Sequence, residues 1–446
     1  MIKVVKFGGS SVANAAQFRK VKAIVDSDPS RKYIVSSACG KESKEDHKVT
    51  DLLYLAHAHV KYGVSYEDIF ELIEKKYYGI KEELGLKTDL ETEFARIRSL
   101  MKKDMSTDYL VSRGEYLTSM LLAEFLGAKF VDAADVISFH YDGTIDMERT
   151  EARLMEKTQD AKKVLIPGFY GALPNGVIRV MSRGGSDITG SVIANIINAD
   201  VYENWTDVSG FLVADPRIIK DPIRIPRITY SELREMSYMG ANVLHDDAVF
   251  PVRKKNIPIN IRNTNEPDNP GTMIMGDCSE MDQIEPPHSV TGITGTKDFT
   301  VVTVSKSHSS AEVGVLRRVL GIFEDYNVSV ESVPVTVDTF SIIVKTQAVE
   351  NCIYEIVSRI KKEFEPDEIR LEEHLALIAI VGRGMKALPG ASGRFLSEFG
   401  RHAINIKTIT QSSDELSVVV GVDNRDFEKA IHVIYDRFIA VEKESV

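Results

Sequence analysis

Cysteine is scarce in this chain. Only Cys39, Cys278 and Cys352 occur, far apart, odd in number and without a C-x-x-C pair. Neither a disulfide framework nor a zinc site is supported, and a reducing, cytoplasmic compartment is expected. No run approaches the roughly 18 apolar residues of a membrane span. The apolar start, Met1-Ile2-Lys3-Val4-Val5-Lys6-Phe7, is too short for a signal peptide, so no membrane association is expected. Positive charge is also short. The 55 Lys and Arg stand against 66 Asp and Glu, a net charge of −11. That balance argues against a nucleic-acid partner, though not against a nucleotide site made from a few cations and backbone amides. No G-x-x-x-x-G-K-[ST] occurs, so a Walker-type phosphate loop is absent.

What remains is the composition of a soluble globular chain, 43% hydrophobic and 27% charged. At 446 residues it is too long for one core, and two to four domains are expected. From Ile2 to about Ile284 short apolar runs alternate with longer amphipathic stretches. Ile2–Phe7 and Tyr33–Ser36 read as strands, Ala15–Val25 and Val49–Val60 as helices, and the charged stretch Glu67–Leu100 as a helical insertion. Such alternation predicts an α/β unit with a mostly parallel sheet sandwiched by helices. Prolines, glycines and acids gather over Asn265–Pro287, which reads as loop and linker.

Beyond that linker the chain repeats itself. At one constant offset Phe299–Ser305 (FTVVTVS) falls on Leu375–Val381 (LALIAIV), Gly314–Val330 on Gly390–Ile406, and Asp338–Val344 (DTFSIIV) on Asp414–Val420 (DELSVVV). Each copy reads strand, helix, strand, strand, helix, and a closing strand would make a βαββαβ sandwich. The expected domains are 1–285, 290–370 and 371–446, with Val290–Thr296 supplying a strand to the last.

Four segments carry chemistry. Lys6-Phe7-Gly8-Gly9-Ser10-Ser11 ends the first strand and enters a helix. Paired glycines let backbone amides approach an anion, and a helix start adds positive potential. A plain turn would serve as well, except that a lysine inside an apolar strand needs an anion to justify it. Arg183-Gly184-Gly185-Ser186-Asp187 precedes an apolar helix, Ile188–Ile197. Arg183 can clamp a carboxylate through two parallel hydrogen bonds. Ser186 or Asp187 as a simple N-cap accounts for those residues equally well. Ser112-Arg113-Gly114-Glu115 reads as opening a further helix, with Glu115 either a first-turn acid in the helix dipole or the receptor for a substrate ammonium. Trp205-Thr206-Asp207-Val208-Ser209-Gly210 ends a strand and runs on to Asp215-Pro216-Arg217. These are ordinary turn residues or one wall of a nucleotide pocket.

In this order KFGGSS at the start, VTDLL at 49–53, SRGE at 112–115, SRGGSD at 182–187, WTDVSGFLVADPR at 205–217, MGANVLH at 239–245 and IPINIRNT at 257–264 resemble the amino-acid kinase family and, within it, the aspartate kinases. The repeated C-terminal third resembles a pair of ACT domains. The resemblance covers nearly the whole chain and implies the amino-acid kinase fold followed by two ferredoxin-like ACT domains. It implies ATP-dependent phosphorylation of the β-carboxylate of L-aspartate, Mg2+ bridging the phosphates, and feedback control through the ACT pair. Carried over residue by residue, Lys6, Gly8, Gly9 and Asp187 would act in catalysis. Ser36, Thr50, Glu115, Arg183, Gly184 and Ser186 would bind aspartate, Arg183 taking its α-carboxylate and Glu115 its ammonium. Thr206, Asp207, Leu212, Asp215, Arg217 and Asn242 would line the ATP site with Lys6, Gly8, Gly9 and Ser10. Asn242 stands where many relatives have a lysine, and Leu212 where some have a tyrosine. The substrate carboxylate is already ionised at pH 7, so the chemistry asks for positioning and charge neutralisation, not a general base. The rival readings are a kinase for glutamate derivatives and an amino-acid sensor with a weak or inactive kinase domain, the latter suggested by Asn242.

Lysine is the expected effector, bound at the first repeat. Backbone groups at Ser329 and Val330 could take the amino-acid head, with Ser307, His308 and Val313 of the preceding loop in the same site. Glu331 or Asp338 could pair with a cationic side chain, whereas the second repeat has Lys407 in place of Glu331. A homodimer through the ACT domains, or a tetramer, is expected. Two features read as decoys. Gly382-Arg383-Gly384-Met385-Lys386-Ala387 matches G-x-G-x-x-A, but too little chain follows for a second nucleotide-binding half. His57 and His59, two apart on a helix, cannot share a face as metal ligands. Trp205 reads as packed at a strand end.

Overall fold

A computed structural model describes residues 1–182, 184–240, 244, 246–284, 289–308 and 313–440. They divide into two units, each described by itself. The first comprises 1–211, 224–231 and 242–278, and the second 212–223, 232–241 and 279–446. The division is therefore not a single cut in the linker, because two short stretches upstream of it go with the C-terminal unit.

The first unit carries strands β1 (Lys3–Phe7), β2 (Arg31–Ser36), β3 (Lys129–Phe130), β4 (Val164–Pro167), β5 (Tyr170–Ala172), β6 (Ile178–Val180), β7 (Val201–Thr206), β8 (Arg227–Thr229), β9 (Ile259–Asn263) and β10 (Thr272–Met275). Its helices are α1 (Ala15–Asp26), α2 (Val49–Tyr62), α3 (Glu67–Leu84), α4 (Leu90–Leu100), α5 (Thr107–Leu126), α6 (Ala133–Val136), α7 (Met147–Thr158) and α8 (Gly185–Ile196). Helix α9 (Tyr230–Tyr238) starts here and continues into the second unit, and α10 (Asp246–Arg253) follows. Eight strands form one sheet in the order β3-β4-β2-β1-β7-β9-β10-β8. Every pairing is parallel except β9 with β10.

The strand sequences explain this arrangement. Val4, Val5, Ile34, Val35, Val164, Leu165 and Ile166 are fully buried, the near-continuous apolar runs of a parallel sheet covered on both faces. Helix α1 turns Phe18, Val21, Ile24 and Val25 inward. Helix α8 buries almost all of its length, with the Thr189 and Ser191 hydroxyls turned back onto the carbonyls of Gly185 and Ile188. The charged insertion resolves into α3 and α4, because Gly85 ends one in the left-handed region and Asp89 caps the next. From β1 the chain goes through α1 to β2 on one side, and later through α8 to β7 on the other. The carboxyl ends of β1, β2 and β7 thus flank a topological switch point, where open α/β sheets bind ligands.

The second unit contains β11 (Gly292–Ser305), β12 (Val330–Ser332), β13 (Thr339–Lys345), β14 (Glu368–Val381), β15 (Thr408–Gln411) and β16 (Ser417–Asp423). Its helices are α11 (Ser279–Ile284), α12 (Val315–Asp325), α13 (Thr346–Val349), α14 (Ile353–Phe364), α15 (Ala391–Arg401) and α16 (Phe427–Tyr435). One antiparallel sheet has the order β12-β13-β11-β14-β16-β15. The two long central strands serve both repeats. Gly292–Thr296 pairs with Leu377–Val381, and after a register shift Phe299–Ser305 pairs with β13 and with the first half of β14. Each repeat packs its helices on its own half. Val302, Val304, Val319, Ile322, Phe323, Ile356 and Ile360 form the first core. Gly314 and Gly390 cap α12 and α15 at φ 82 and 81, the same conformation at the same place in each copy. The G-x-G-x-x-A decoy is a short 3-10 turn, Arg383–Ala387, in this antiparallel setting.

Candidate active site

Lys6 is the next-to-last residue of β1, and only 7% of its surface is exposed. Its Nζ lies 2.5 Å from Asp187 Oδ1, on the first turn of α8, and 3.5 Å from Asn204 Oδ1 on β7. Asn204 Nδ2 donates to the same Asp187 oxygen at 2.8 Å. The buried lysine therefore has its counter-charge, as a cation in an apolar strand requires. Directly after it Gly8 N donates to Trp205 O at 2.9 Å, and Gly40 N donates to Gly9 O at 2.9 Å. A side chain would be tight at Gly9 and excluded at Gly40. A Cβ on Gly9 would sit 3.0 Å from Ala38 O, and one on Gly40 only 2.5 Å from the carbonyl carbon of Gly9. Ser10 follows in a 3-10 turn, and Ser11 bonds Thr264 through their hydroxyls at 2.7 Å.

The loop after β2 links this corner to Glu115. Contrary to expectation, Ser112-Arg113-Gly114-Glu115 does not open a helix. Helix α5 starts at Thr107, with the Ser106 hydroxyl accepting from Tyr109 N and Asp108 as first-turn acid. Glu115 thus lies two turns in, beyond the reach of the dipole at the helix start. It is 4% exposed and accepts the backbone N–H of Ala38, while its Oε2 has no hydrogen-bond partner among the described residues. Burial pushes its carboxyl up to about 8. Gly114 allows this approach, since a Cβ there would meet Ala38 Cβ at 2.9 Å. The neighbouring Arg113 is structural, its guanidinium 4.7, 4.4 and 5.4 Å from the rings of Tyr109, Tyr116 and Tyr170.

The other residues named for aspartate fall as follows. Thr50 is half-buried in the first turn of α2. The Ser36 hydroxyl is fully buried and shares a 2.7 Å hydrogen bond with Ser119. Ser186 packs against Gly168, where a Cβ would come within 2.6 Å of it, and Gly168 N donates to Ser36 O at 2.9 Å. Helix α8 is capped by Gly184 at φ 77 without a side-chain bond, so neither Ser186 nor Asp187 is its N-cap. Glycine tolerates that left-handed backbone, and the Asp187 side chain is committed to Lys6. Arg183 and Asn242 lie outside the described residues.

Of the residues named for the nucleotide, Thr206 closes β7 and bonds its neighbour Asp207 at 3.1 Å. Leu212, Asp215 and Arg217 belong to the second unit, where Asp215 and Arg217 pair at 2.5 Å. Trp205 is buried, with its Nε1 donating to Glu203 at 2.8 Å and the guanidinium groups of Arg31 and Arg262 at 5.3 and 4.5 Å from its ring. It is a packed residue, as expected. Cys39 is buried beside Thr118 and its thiol is pushed up to about 11 by burial, which makes it unreactive.

Asn204 belongs to none of the motifs singled out in the sequence. The available signal was a carboxamide in the middle of a strand whose residues are otherwise buried and parallel-paired, where apolar side chains are the rule.

In the second unit Ser307 bonds Asp367 through both its N–H and its hydroxyl, and His308, Val313 and Ser329 are exposed. Val330 begins β12. Glu331 already has partners, with Lys345 Nζ at 3.7 Å and the Tyr238 hydroxyl, whose pKa the carboxylate pushes up to about 12. Asp338 differs, because its buried Oδ1 has no partner among the described residues.

Residues 1–263 match the amino acid kinase family and residues 378–438 the ACT domain. The chain is 35% identical to aspartokinase 3 of Bacillus subtilis over 98% of its own length and 99% of that protein's. The crystal structure of Clostridium acetobutylicum aspartate kinase superposes with a TM-score of 0.90 at 45% identity, covering 98% of this chain and 99% of that one. Two crystal structures of E. coli aspartokinase III, 23% identical, share the fold over 98% of this chain and 99% of theirs. One is a complex with aspartate and ADP (R-state) and the other with lysine and aspartate (T-state), with TM-scores of 0.74 and 0.76.

Proposed function

The chain belongs to the amino acid kinase family, in its aspartate kinase branch, and on that premise we propose how its own residues carry phosphoryl transfer from ATP to the β-carboxylate of L-aspartate. The observation that carries this reading is the buried Lys6–Asp187 pair beside the Gly8-Gly9 turn, at the carboxyl end of β1. A preorganised ammonium and a turn with little bulk face the place where charge spreads over the transferring group; the Gly8 N–H, expected to meet the anion, is instead engaged by Trp205 O. Glu115 receives the α-ammonium on Oε2, which no described residue bonds, and Arg183 takes the α-carboxylate. Thr50, Gly184 and Ser186 shape the pocket. Ser36 supports it from behind, since its hydroxyl is already engaged by Ser119. Thr206, Asp207, Asp215, Arg217 and the substituted positions Leu212 and Asn242 are assigned to the nucleotide. Mg2+ neutralises phosphate charge when bound. Among the described residues no group of three or more His, Cys, Asp or Glu could hold a metal, and such an ion is ordinarily held by substrate phosphates with one or two carboxylates. No described helix is long and apolar enough to cross a membrane, and a cytoplasmic location is proposed from the sparse, unpaired cysteines.

Feedback by lysine at the first repeat is the regulatory part of the proposal. Asp338, with a buried oxygen that no described residue bonds, suits the effector's side-chain ammonium better than Glu331, which Lys345 and Tyr238 already occupy. The terminal strands β12 and β15 leave sheet edges for a partner subunit, in keeping with a homodimer or a tetramer built on it. The test is a coupled ADP-release assay with ATP, Mg2+ and a panel of amino acids. Turnover with aspartate and not with glutamate is expected. No turnover with any of them, in a folded protein, would favour the sensor reading.

A further inference from the structure

Asn204 stands directly opposite Lys6 in the parallel ladder of β1 and β7. Residues in such register project to the same face of the sheet, and the side chains of Tyr202, Asn204 and Thr206 alternate with those of Glu203 and Trp205. On one face Glu203 and Trp205 join Arg31 and Arg262 in a packed cluster. On the other, Asn204 meets Lys6 and Asp187, and Tyr202 Oη donates to Asp187 O at 3.1 Å. Asn204 is 4% exposed. A buried carboxamide must be satisfied on both its ends, and here one end reaches the ammonium and the other the carboxylate.

We propose that Asn204 is a positioning residue for phosphoryl transfer, resting on the kinase reading above: its amide orients the Asp187 carboxylate so that Lys6 is anchored without being fully neutralised. The physical reason lies in the shared oxygen. Asp187 Oδ1 takes Lys6 Nζ at 2.5 Å and Asn204 Nδ2 at 2.8 Å. A second donor on that oxygen draws part of its negative charge away from the lysine. Asn204 Oδ1, at 3.5 Å from Nζ, gives a second of the three ammonium N–H groups a direction. The third is then free to meet a phosphoryl oxygen beyond the Gly8-Gly9 turn. With an apolar side chain at 204, the ammonium would fold onto the carboxylate and its reach would shift. A displacement of about 1 Å at a reacting centre can cost about a hundredfold in rate.

The experiment compares Asn204→Leu and Asn204→Asp with the wild type at saturating ATP and aspartate. Wild-type turnover of aspartate tests the kinase reading; the variant-to-wild-type ratio tests the role of Asn204. Asn204→Leu should lower kcat about tenfold to a hundredfold, with both KM values within about threefold. Asn204→Asp, which keeps shape and polarity, should lose a similar factor because a second carboxylate competes for Lys6. In an Asp187→Asn background, Asn204→Leu should cost less than about threefold more, since residues acting through one another are not additive. Should the leucine variant fail to fold, the aspartate variant and its cycle decide. Retention of more than half the wild-type kcat in a folded variant, a loss confined to KM, or full additivity with Asp187→Asn would each overturn the proposal.

Discussion

Replacing Glu115 by glutamine should make the protein more stable at pH 8 and change it little at pH 5. Burial raises this carboxyl from an ordinary 4.5 to about 8, so the folded protein holds a proton that the unfolded chain releases. The stability tied to that proton is complete below about pH 4.5 and is lost as pH rises through about 8. The loss is about 1.4 kcal/mol for each pH unit in that window. Between pH 5 and pH 8 wild type should therefore lose about 3 kcal/mol that Glu115→Gln keeps. In a unit of this size that is roughly 6 °C in Tm. Glutamine can still accept the Ala38 N–H, so the comparison isolates ionisation. Differential scanning calorimetry of both proteins at pH 5 and pH 8 reads the gap directly. A gap that stays constant within about 2 °C would mean that Glu115 is ionised in the folded protein and that the dry pocket around it is misjudged. Wild-type kinetics give an independent reading. If only the ionised acid receives the ammonium, about one molecule in ten is competent at pH 7, and the aspartate KM should fall as pH rises towards 8. Glu115→Gln should show a raised KM without that slope.

Lys6→Ala should reduce turnover by about two to three orders of magnitude, and lower Tm because Asp187 loses its counter-charge; retention of a tenth of wild-type activity would refute its assignment. Gly40→Ala forces a Cβ to within 2.5 Å of the Gly9 backbone; steady-state kinetics should show kcat lowered about tenfold or more, and an unchanged kcat would show that the glycine turn can give way. Asp338→Asn should raise the lysine concentration for half-inhibition at least tenfold, more than Glu331→Gln does. Lysine inhibition untouched in Asp338→Asn would remove the acid from the effector site.

How much was legible in the sequence depended on whether a signal was local. The parallel sheet could be read because short apolar runs, Ile2–Phe7 and Tyr33–Ser36, alternate with amphipathic stretches of helical length, and their Val4, Val5, Ile34 and Val35 are fully buried. Lys6 could be singled out because its charge contradicts its neighbours. Helix α5 starts earlier than Ser112, at Thr107 with Ser106 as its cap, and Gly114 sits inside the helix to let Ala38 approach, a tertiary contact that no local pattern reports. Of the two readings left open for Ser186 and Asp187, the N-cap one falls for a related reason: both look like caps, but Lys6 claims Asp187 and glycine sets the turn. Asn204 was passed over because its meaning depends on the residue across the ladder, nearly two hundred positions away, and no local pattern reports that pairing.

The two long central strands of the second unit constrain what a gene for this protein can do. Because β11 and β14 each run through both repeats, the first repeat is enclosed in sequence between pieces of the second. A reading frame ended after the first repeat would leave Gly292–Thr296 without the strand it pairs with, and one resumed after it would lack the same edge. The repeats could have arisen by duplication, yet they can no longer be inherited, swapped or deleted singly. Recombination can move this module only whole.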